Sequence, residues 1–265
     1  MSELISSSQN SKIKFLRSLY RKKYRREENK FLLEGRRIVE DALKEKANLS
    51  QAYYSPQFID NQINRELVKK LKSNTEVFQI EDSLLEEVAD TETPQGIIAV
   101  VDQPEFDLNE FVAGENDFFL IVDKVQDPGN LGTIVRTADG AGVDGIFLLK
   151  GTVDIYNLKT IRATMGSLFR VPIFHLDKPD DLNKILQIKD IQIVVGDVAA
   201  KNYYYELDYK RPTAIVVGNE GRGVQQETLK LAKHKVKIPL AKGVESLNVA
   251  IATGVMLYEV VRQRN

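Results

Sequence analysis

The chain has 265 residues, 43% of them apolar and 28% charged, which is enough to fill one large or two ordinary cores and excludes wholesale disorder. It has no cysteine, so disulfides, thiolate zinc sites and cysteine nucleophiles are excluded, and its two histidines, His175 and His234, lie too far apart in sequence to form a ligand cluster. No apolar run approaches the ~20 residues of a membrane helix, and the opening MSELISSSQNSK lacks the basic-then-apolar order of a signal peptide, so the expectation is a cytoplasmic protein with no membrane and no metal.

The net charge of −1 hides an uneven distribution. Residues 1–37 carry eleven Lys and Arg against four Glu, including Lys12, Lys14, Arg17, Arg21, Lys22, Lys23, Arg25, Arg26 and Arg37. Tyr20 and Tyr24 interleave with this run, which provides cations for phosphates and π faces for unpaired bases. Two readings stand at this point, an RNA-binding arm and a solvated helical face.

In chain order, the pattern predicts a basic helix over 10–24, a strand at 31–35, a helix over 36–47 and a strand at 52–55. A helix over 62–72, a strand at 76–80, a short helix over 82–89 and a strand at 96–102 complete a first α/β domain, residues 1–102. The polar stretch 103–116, with Pro104 and Gly114, reads as a linker.

Beyond it, short apolar runs at 118–122, 145–149, 171–174, 191–195, 213–217 and 236–240 read as buried strands of a parallel sheet. Helices are predicted over 131–141, 157–169, 180–187, 224–234 and 247–263. The last is apolar on more than one stripe, which predicts burial by the sheet on one side and by a second subunit on the other.

The string Gly140-Ala141-Gly142-Val143-Asp144-Gly145 has the letters of a dinucleotide fingerprint. Its context is reversed, because a helix precedes it and a strand follows, so it reads as a helix stop and turn. Three other segments carry more. In Asp127 to Thr137, Asn130 is a favourable helix cap, and Arg136 needs an anionic partner, whether a structural carboxylate or a ligand. Gly218-Asn219-Glu220-Gly221-Arg222-Gly223 follows a strand, where backbone N–H groups approach a ligand closely. Ile238-Pro239-Leu240 marks a strand end, and Ser246 in Glu245 to Ala250 is placed to cap the final helix.

Together and in order, N-x-G-x-x-x-R from Asn130 to Arg136, G-N-E-G-x-G from Gly218 to Gly223 and I-P-x6-S-L-N-V from Ile238 to Val249 resemble the SpoU (TrmH) family of RNA ribose 2'-O-methyltransferases, within the SPOUT superfamily. Residues 117–265 carry this resemblance. Phe31 to Gly35 and Pro94 to Ile97 resemble the ribosomal-protein-like substrate-binding domain often fused ahead of it.

The resemblance implies an α/β SPOUT domain with a deep trefoil knot, S-adenosyl-L-methionine as cofactor, a homodimer formed through the C-terminal domain, and an RNA substrate, with large-subunit (23S) rRNA expected by family analogy. It further implies that Asn130, Arg136, Glu220, Ser246 and Asn248 surround the ribose hydroxyl. Val217, Gly218, Asn219, Gly221, Ile238, Leu240, Ser246 and Leu247 would contact the cofactor. The competing readings are a tRNA methyltransferase, a non-catalytic RNA-binding or ribosome-assembly protein of the same fold, and a nucleotide-handling α/β enzyme resting on the glycine clusters.

Overall fold

A computed structural model describes residues 4–106, 117–178, 181–182 and 190–265. Two compact units emerge, Met1–Glu105 with Tyr156–Phe169, and Phe106–Ile155 with Arg170–Asn265.

In the first unit, Asn10 caps α1 (Ser11–Leu19) by accepting from the Lys12 amide, and Ile13, Leu16 and Leu19 bury one face. The single basic helix expected over 10–24 is instead two, because the backbone turns extended at Arg21 before α2 (Lys22–Glu28). Arg25 explains the break: it is buried and its Nη1 donates to the carbonyls of Leu19 and Tyr20, both at 2.8 Å, satisfying carbonyls that the end of α1 leaves without helical partners. Arg25 therefore leaves the set of residues expected to meet RNA. Lys14, Arg21, Lys22, Lys23, Arg26 and Arg37 are exposed, whereas Lys12 lies over the Phe78 ring and Arg17 pairs with Glu87.

The strands of this unit are β1 (Leu4–Ile5), β2 (Lys30–Glu34), β3 (Leu49–Tyr54), β4 (Glu76–Ile80) and β5 (Ile97–Asp102). They form one sheet in the order β1-β4-β3-β5-β2, with β5 antiparallel to both β3 and β2. Helices α3 (Arg36–Lys44), α4 (Gln62–Lys72) and α5 (Asp82–Val88) connect them.

Residues 156–169, expected with the C-terminal domain, group here. Tyr156 stacks on Phe31 with ring centroids 4.6 Å apart, and Leu158, at the start of α7 (Leu158–Thr164), joins the cluster containing Ile13, Leu16 and Leu32.

A polar network also holds this segment. The Glu34 side chain is 4% exposed and lies 3.8 Å from the Arg162 guanidinium, which also bonds Asp90. Its Oε1 accepts from the Tyr20 hydroxyl at 2.6 Å and from the Asp90 amide at 2.8 Å. Burial, and then the bond to Glu34, push the Tyr20 phenol far above its ordinary value. Replacing Glu34 with alanine leaves these donors without an acceptor and is expected to cost about 2 kcal/mol, read by urea denaturation. An unchanged midpoint would show that the network contributes no stability.

The second unit is built on seven parallel strands: β6 (Phe118–Asp123), β7 (Gly145–Leu149), β8 (Ile173–Leu176), β9 (Gln192–Gly196), β10 (Asn202–Tyr203), β11 (Thr213–Gly218) and β12 (His234–Lys237). Their order is β10-β12-β9-β11-β6-β7-β8. Phe119, Ile121, Phe147, Phe174, Val195 and Val216 fill one core cluster.

Several boundaries differ from the sequence reading. The strand expected to reach residue 240 stops at Lys237, ahead of Pro239, which cannot donate to a ladder. The helix expected over 224–234 is the single turn α8 (Gln226–Leu229), because the Lys233 amide already pairs with the Ile193 carbonyl as the chain enters β12. The helix expected over 180–187 lies outside the described residues except for Asp181 and Leu182, as does most of the expected linker, residues 107–116.

Helix α6 (Pro128–Gly140) begins earlier than expected: Asp127, not Asn130, is its cap, accepting from the Asn130 amide at 2.8 Å, and Pro128 fills the first turn. Likewise Asn248, not Ser246, caps α9 (Val249–Arg264), accepting from the amides of Ala250 and Ile251.

Candidate active site

Sheet register places the site. Strand β6 runs beside β11 with Phe118 opposite Thr213 through to Asp123 opposite Gly218, so both strands end together. The segments that follow, Lys124 to Asn130 and Asn219 to Gly223, are thereby held side by side at the carboxyl edge of the sheet. Strand β6 has β11 on one side and β7, the next strand in sequence, on the other, which makes this the point where the strand order reverses and where open α/β sheets bind ligands.

The loop after β11 closes on itself. Asn219 and Gly223 exchange both backbone hydrogen bonds, at 3.0 and 2.9 Å, and the Asn219 Oδ1 accepts from the amides of Gly221 and Arg222. A Cβ on Gly218 would sit 2.4 Å from the backbone of Gly223 and Val224, so only glycine permits this closure.

Glu220 then ties the two segments together. Its carboxylate accepts from the Gln126 and Asp127 amides, each at 3.2 Å, from Asn130 Nδ2 at 3.1 Å and from Asn219 Nδ2 at 3.4 Å. Asn130 Oδ1 in turn accepts from Asn248 Nδ2 at 3.0 Å. Residues from all three sequence motifs are thus joined in one line, Asn248 to Asn130 to Glu220. Partial burial raises the Glu220 pKa, but the hydrogen bonds from Asn130 and the backbone outweigh it and hold the carboxylate below its ordinary range.

Beside this line lies a cavity of about 550 Å³. Val217, Gly218, Asn219, Gly221, Ile238, Leu240, Ser246 and Leu247, all expected at a cofactor, line it, and so does Glu220. Gly196, Asp197, Val198 and Met256 also line it and were not anticipated. Their only sequence signal is Gly196-Asp197 at the end of an apolar run, and Met256 reads as an ordinary core residue of the last helix.

Arg136 is exposed on α6 and makes no hydrogen bond or ion pair among the described residues, so the structural salt bridge considered for it is not formed there. Ser246 is also exposed and makes no hydrogen bond among them. The decoy glycine string does stop α6 and turn into β7, with Gly142 at φ +71.

A parallel α/β sheet with a mixed apolar and polar cavity at the carboxyl ends of β9, β11 and β12 is the architecture of an enzyme that binds a small organic cofactor. The chain belongs to the SpoU rRNA Methylase family, whose model matches residues 117–258, and an MRM3-like substrate binding domain matches residues 10–99. The chain is 35% identical to the 23S rRNA (guanosine(2553)-2'-O)-methyltransferase RlmP of Bacillus subtilis, over 96% of this chain and 97% of that one. Among solved structures, the AdoMet-bound rRNA methyltransferase from Sinorhizobium meliloti superposes with a TM-score of 0.87 at 34% identity, covering 98% of this chain and 97% of that chain. The SpoU methyltransferase AviRb from Streptomyces viridochromogenes, in complex with AdoMet, gives 0.90 at 28% identity, covering 97% and 98%.

Proposed function

We propose that this chain transfers a methyl group from S-adenosyl-L-methionine to a ribose 2'-hydroxyl of 23S rRNA. The observation that carries the reading is the line Asn248 to Asn130 to Glu220, which joins three distant motifs beside a cofactor-sized cavity. The fit of the cofactor rests on the cavity's composition: Val217, Ile238, Leu240 and Met256 offer apolar surface to a purine, and the closed glycine loop supplies backbone groups to the polar remainder.

S-adenosylmethionine supplies an electrophilic methyl group on a sulfonium. The chain's own task is to present the hydroxyl, and positioning alone accounts for a large share of such accelerations. Asn130, Ser246 and Asn248 orient the ribose, while Arg136 stabilises developing alkoxide charge or holds the adjacent phosphate. A guanidinium stays charged and takes no proton. Glu220, with four donors on its carboxylate, is a weak base and serves to position Asn130. The proton then passes to water or to a phosphate oxygen.

The same reading includes a trefoil knot in the C-terminal region, action as a homodimer and a cytoplasmic setting. Ile251 and Tyr258, 58% and 51% exposed on α9, support the partner surface.

The N-terminal unit holds the RNA through Lys14, Arg21, Lys22, Lys23, Arg26 and Arg37, with Lys12 and Arg17 at its margin. Replacing Arg21, Lys22, Lys23 and Arg26 together by glutamate is expected to weaken RNA binding by ~10-fold or more and to flatten its salt dependence, with cofactor affinity unchanged. Unchanged RNA affinity would make the patch a solvated face.

The experiment that tests the function is transfer of labelled methyl from S-adenosylmethionine to total RNA of a strain lacking the protein, followed by ribose-methylation mapping. One new 2'-O-methyl site in 23S rRNA is expected. A site in tRNA would correct the substrate, and failure both to bind cofactor and to methylate would favour a non-catalytic RNA-binding protein.

A further inference from the structure

A second cavity, of about 800 Å³, shares the loop after β11 with the first. Among the described residues its two cations are Lys124 and Arg222, its one carboxylate is Glu227, and it contains no aromatic ring. Resting on the methyltransferase reading above, we propose that this cavity takes the RNA nucleotide next to the methylated one, with Lys124 and Arg222 clamping the intervening phosphodiester.

The frame is built to hold two cations without neutralising them. Lys124 adopts φ +61, a conformation a lysine rarely takes, and its strain is compensated by surrounding bonds. Its amide donates to Thr152 Oγ1 at 3.1 Å, and its carbonyl accepts from Gln126 Nε2 at 3.1 Å and Asn219 Nδ2 at 3.0 Å. Its aliphatic stem lies against Gly151, where a Cβ would approach Lys124 Cγ to 3.0 Å and Cε to 3.1 Å. With backbone and stem fixed in this way, the ammonium makes no hydrogen bond or ion pair among the described residues.

The Arg222 amide is fixed on Asn219 Oδ1 at 2.9 Å, and its guanidinium is likewise unpaired among the described residues. Two uncompensated cations against one carboxylate leave the cavity net positive and suited to an anion.

Location identifies the anion. Gln126, which lines the cavity, and Asp127 donate their amides to Glu220, which bonds Asn130, so the cavity and the line that orients the ribose share the same short segments. A strand whose target ribose meets Asn130 therefore passes its neighbouring phosphate within reach of this cavity. The lining carboxamide oxygens of Gln126 and Gln225, whose Nε2 groups are held by the Lys124 and Gly151 carbonyls and by Asp123, together with the Gln226 carboxamide and with no aromatic face, fit a nucleotide held by phosphate and hydrogen-bond contacts rather than by stacking.

The test uses the full chain with Lys124→Gln, Arg222→Gln, the double variant and the charge-retaining Lys124→Arg. Each is assayed for binding an unmodified 23S rRNA transcript over a potassium chloride series, for S-adenosylmethionine affinity by calorimetry, and for thermal midpoint. Each glutamine variant should lose RNA affinity by ~3–10-fold and reduce the salt slope by about one, the double variant by about two, while Lys124→Arg stays near wild type. Lys124→Gln should leave cofactor affinity unchanged, because Lys124 lines only this second cavity.

Once the methylated nucleotide is mapped, a neutral methylphosphonate at the adjacent phosphate should weaken the wild type and leave the double variant unaffected. Unchanged RNA affinity and salt slope in a folded double variant would overturn the proposal, as would equal weakening of both proteins by the methylphosphonate. A wild type that neither binds cofactor nor methylates RNA would instead overturn the reading on which the proposal rests.

Discussion

Replacing Arg136 with alanine is expected to lower the rate of methyl transfer at saturating RNA by at least ~10²–10³-fold, the range observed when a charge-stabilising donor is removed from a reacting centre. S-adenosylmethionine affinity should stay within about twofold, because Arg136 lines neither cavity. The thermal midpoint should also hold, since the side chain is exposed and no hydrogen bond or ion pair among the described residues is lost with it. An uncompensated guanidinium in the third turn of α6, on the helix that also carries Asn130, has no structural work to explain it. The variant Arg136→Lys keeps the charge but not the planar fork, and should recover only part of the rate. Retained turnover in the alanine variant would remove Arg136 from the mechanism.

The sheet of the second unit was legible in advance because buried parallel strands appear as unbroken apolar runs, as in residues 118–122 and 214–217. The motifs that meet at the site could be read off as glycine, asparagine and serine signals, but their meeting could not. Asn130 lies 90 positions from Glu220 and 118 from Asn248, and only the pairing of β6 with β11 in register brings them into one line.

The two misplaced caps have a local cause. Asp127 and Asn130 are both good caps, as are Ser246 and Asn248, and the backbone turns into the helix at Asp127 and Asn248. The split of the basic helix at Arg21 was hidden for the opposite reason: Arg25 reads as one more cation in a charged run, and its burial depends on carbonyls that exist only once α1 has formed. The grouping of residues 156–169 with the first unit rests on Tyr156 and Arg162 meeting Phe31 and Glu34, partners more than a hundred positions away that no periodicity reveals.

Glu220→Gln should damage the site differently from Arg136→Ala. The carboxylate accepts two backbone amides and two side-chain amides, and a glutamine presents its own NH₂ to part of that set, turning attraction into donor-donor conflict. The loss at this partly exposed position is expected to be about 1–2 kcal/mol, visible as a lower thermal midpoint. Methyl transfer and cofactor affinity should fall together, since the Asn219 to Gly223 loop that Glu220 anchors lines both cavities.

The wild type carries a matching pH signature. With the folded pKa held below the ordinary value of 4.5, the carboxylate's contribution is fully present above that value and is lost as pH falls through the lower folded one. The thermal midpoint of the wild type should therefore fall on acidification below about pH 4.5, and the Glu220→Gln protein, already lacking the carboxylate, should lose that component of the profile. Identical acid limbs in the two proteins would show that another group governs the response and that Glu220 does not couple the loops.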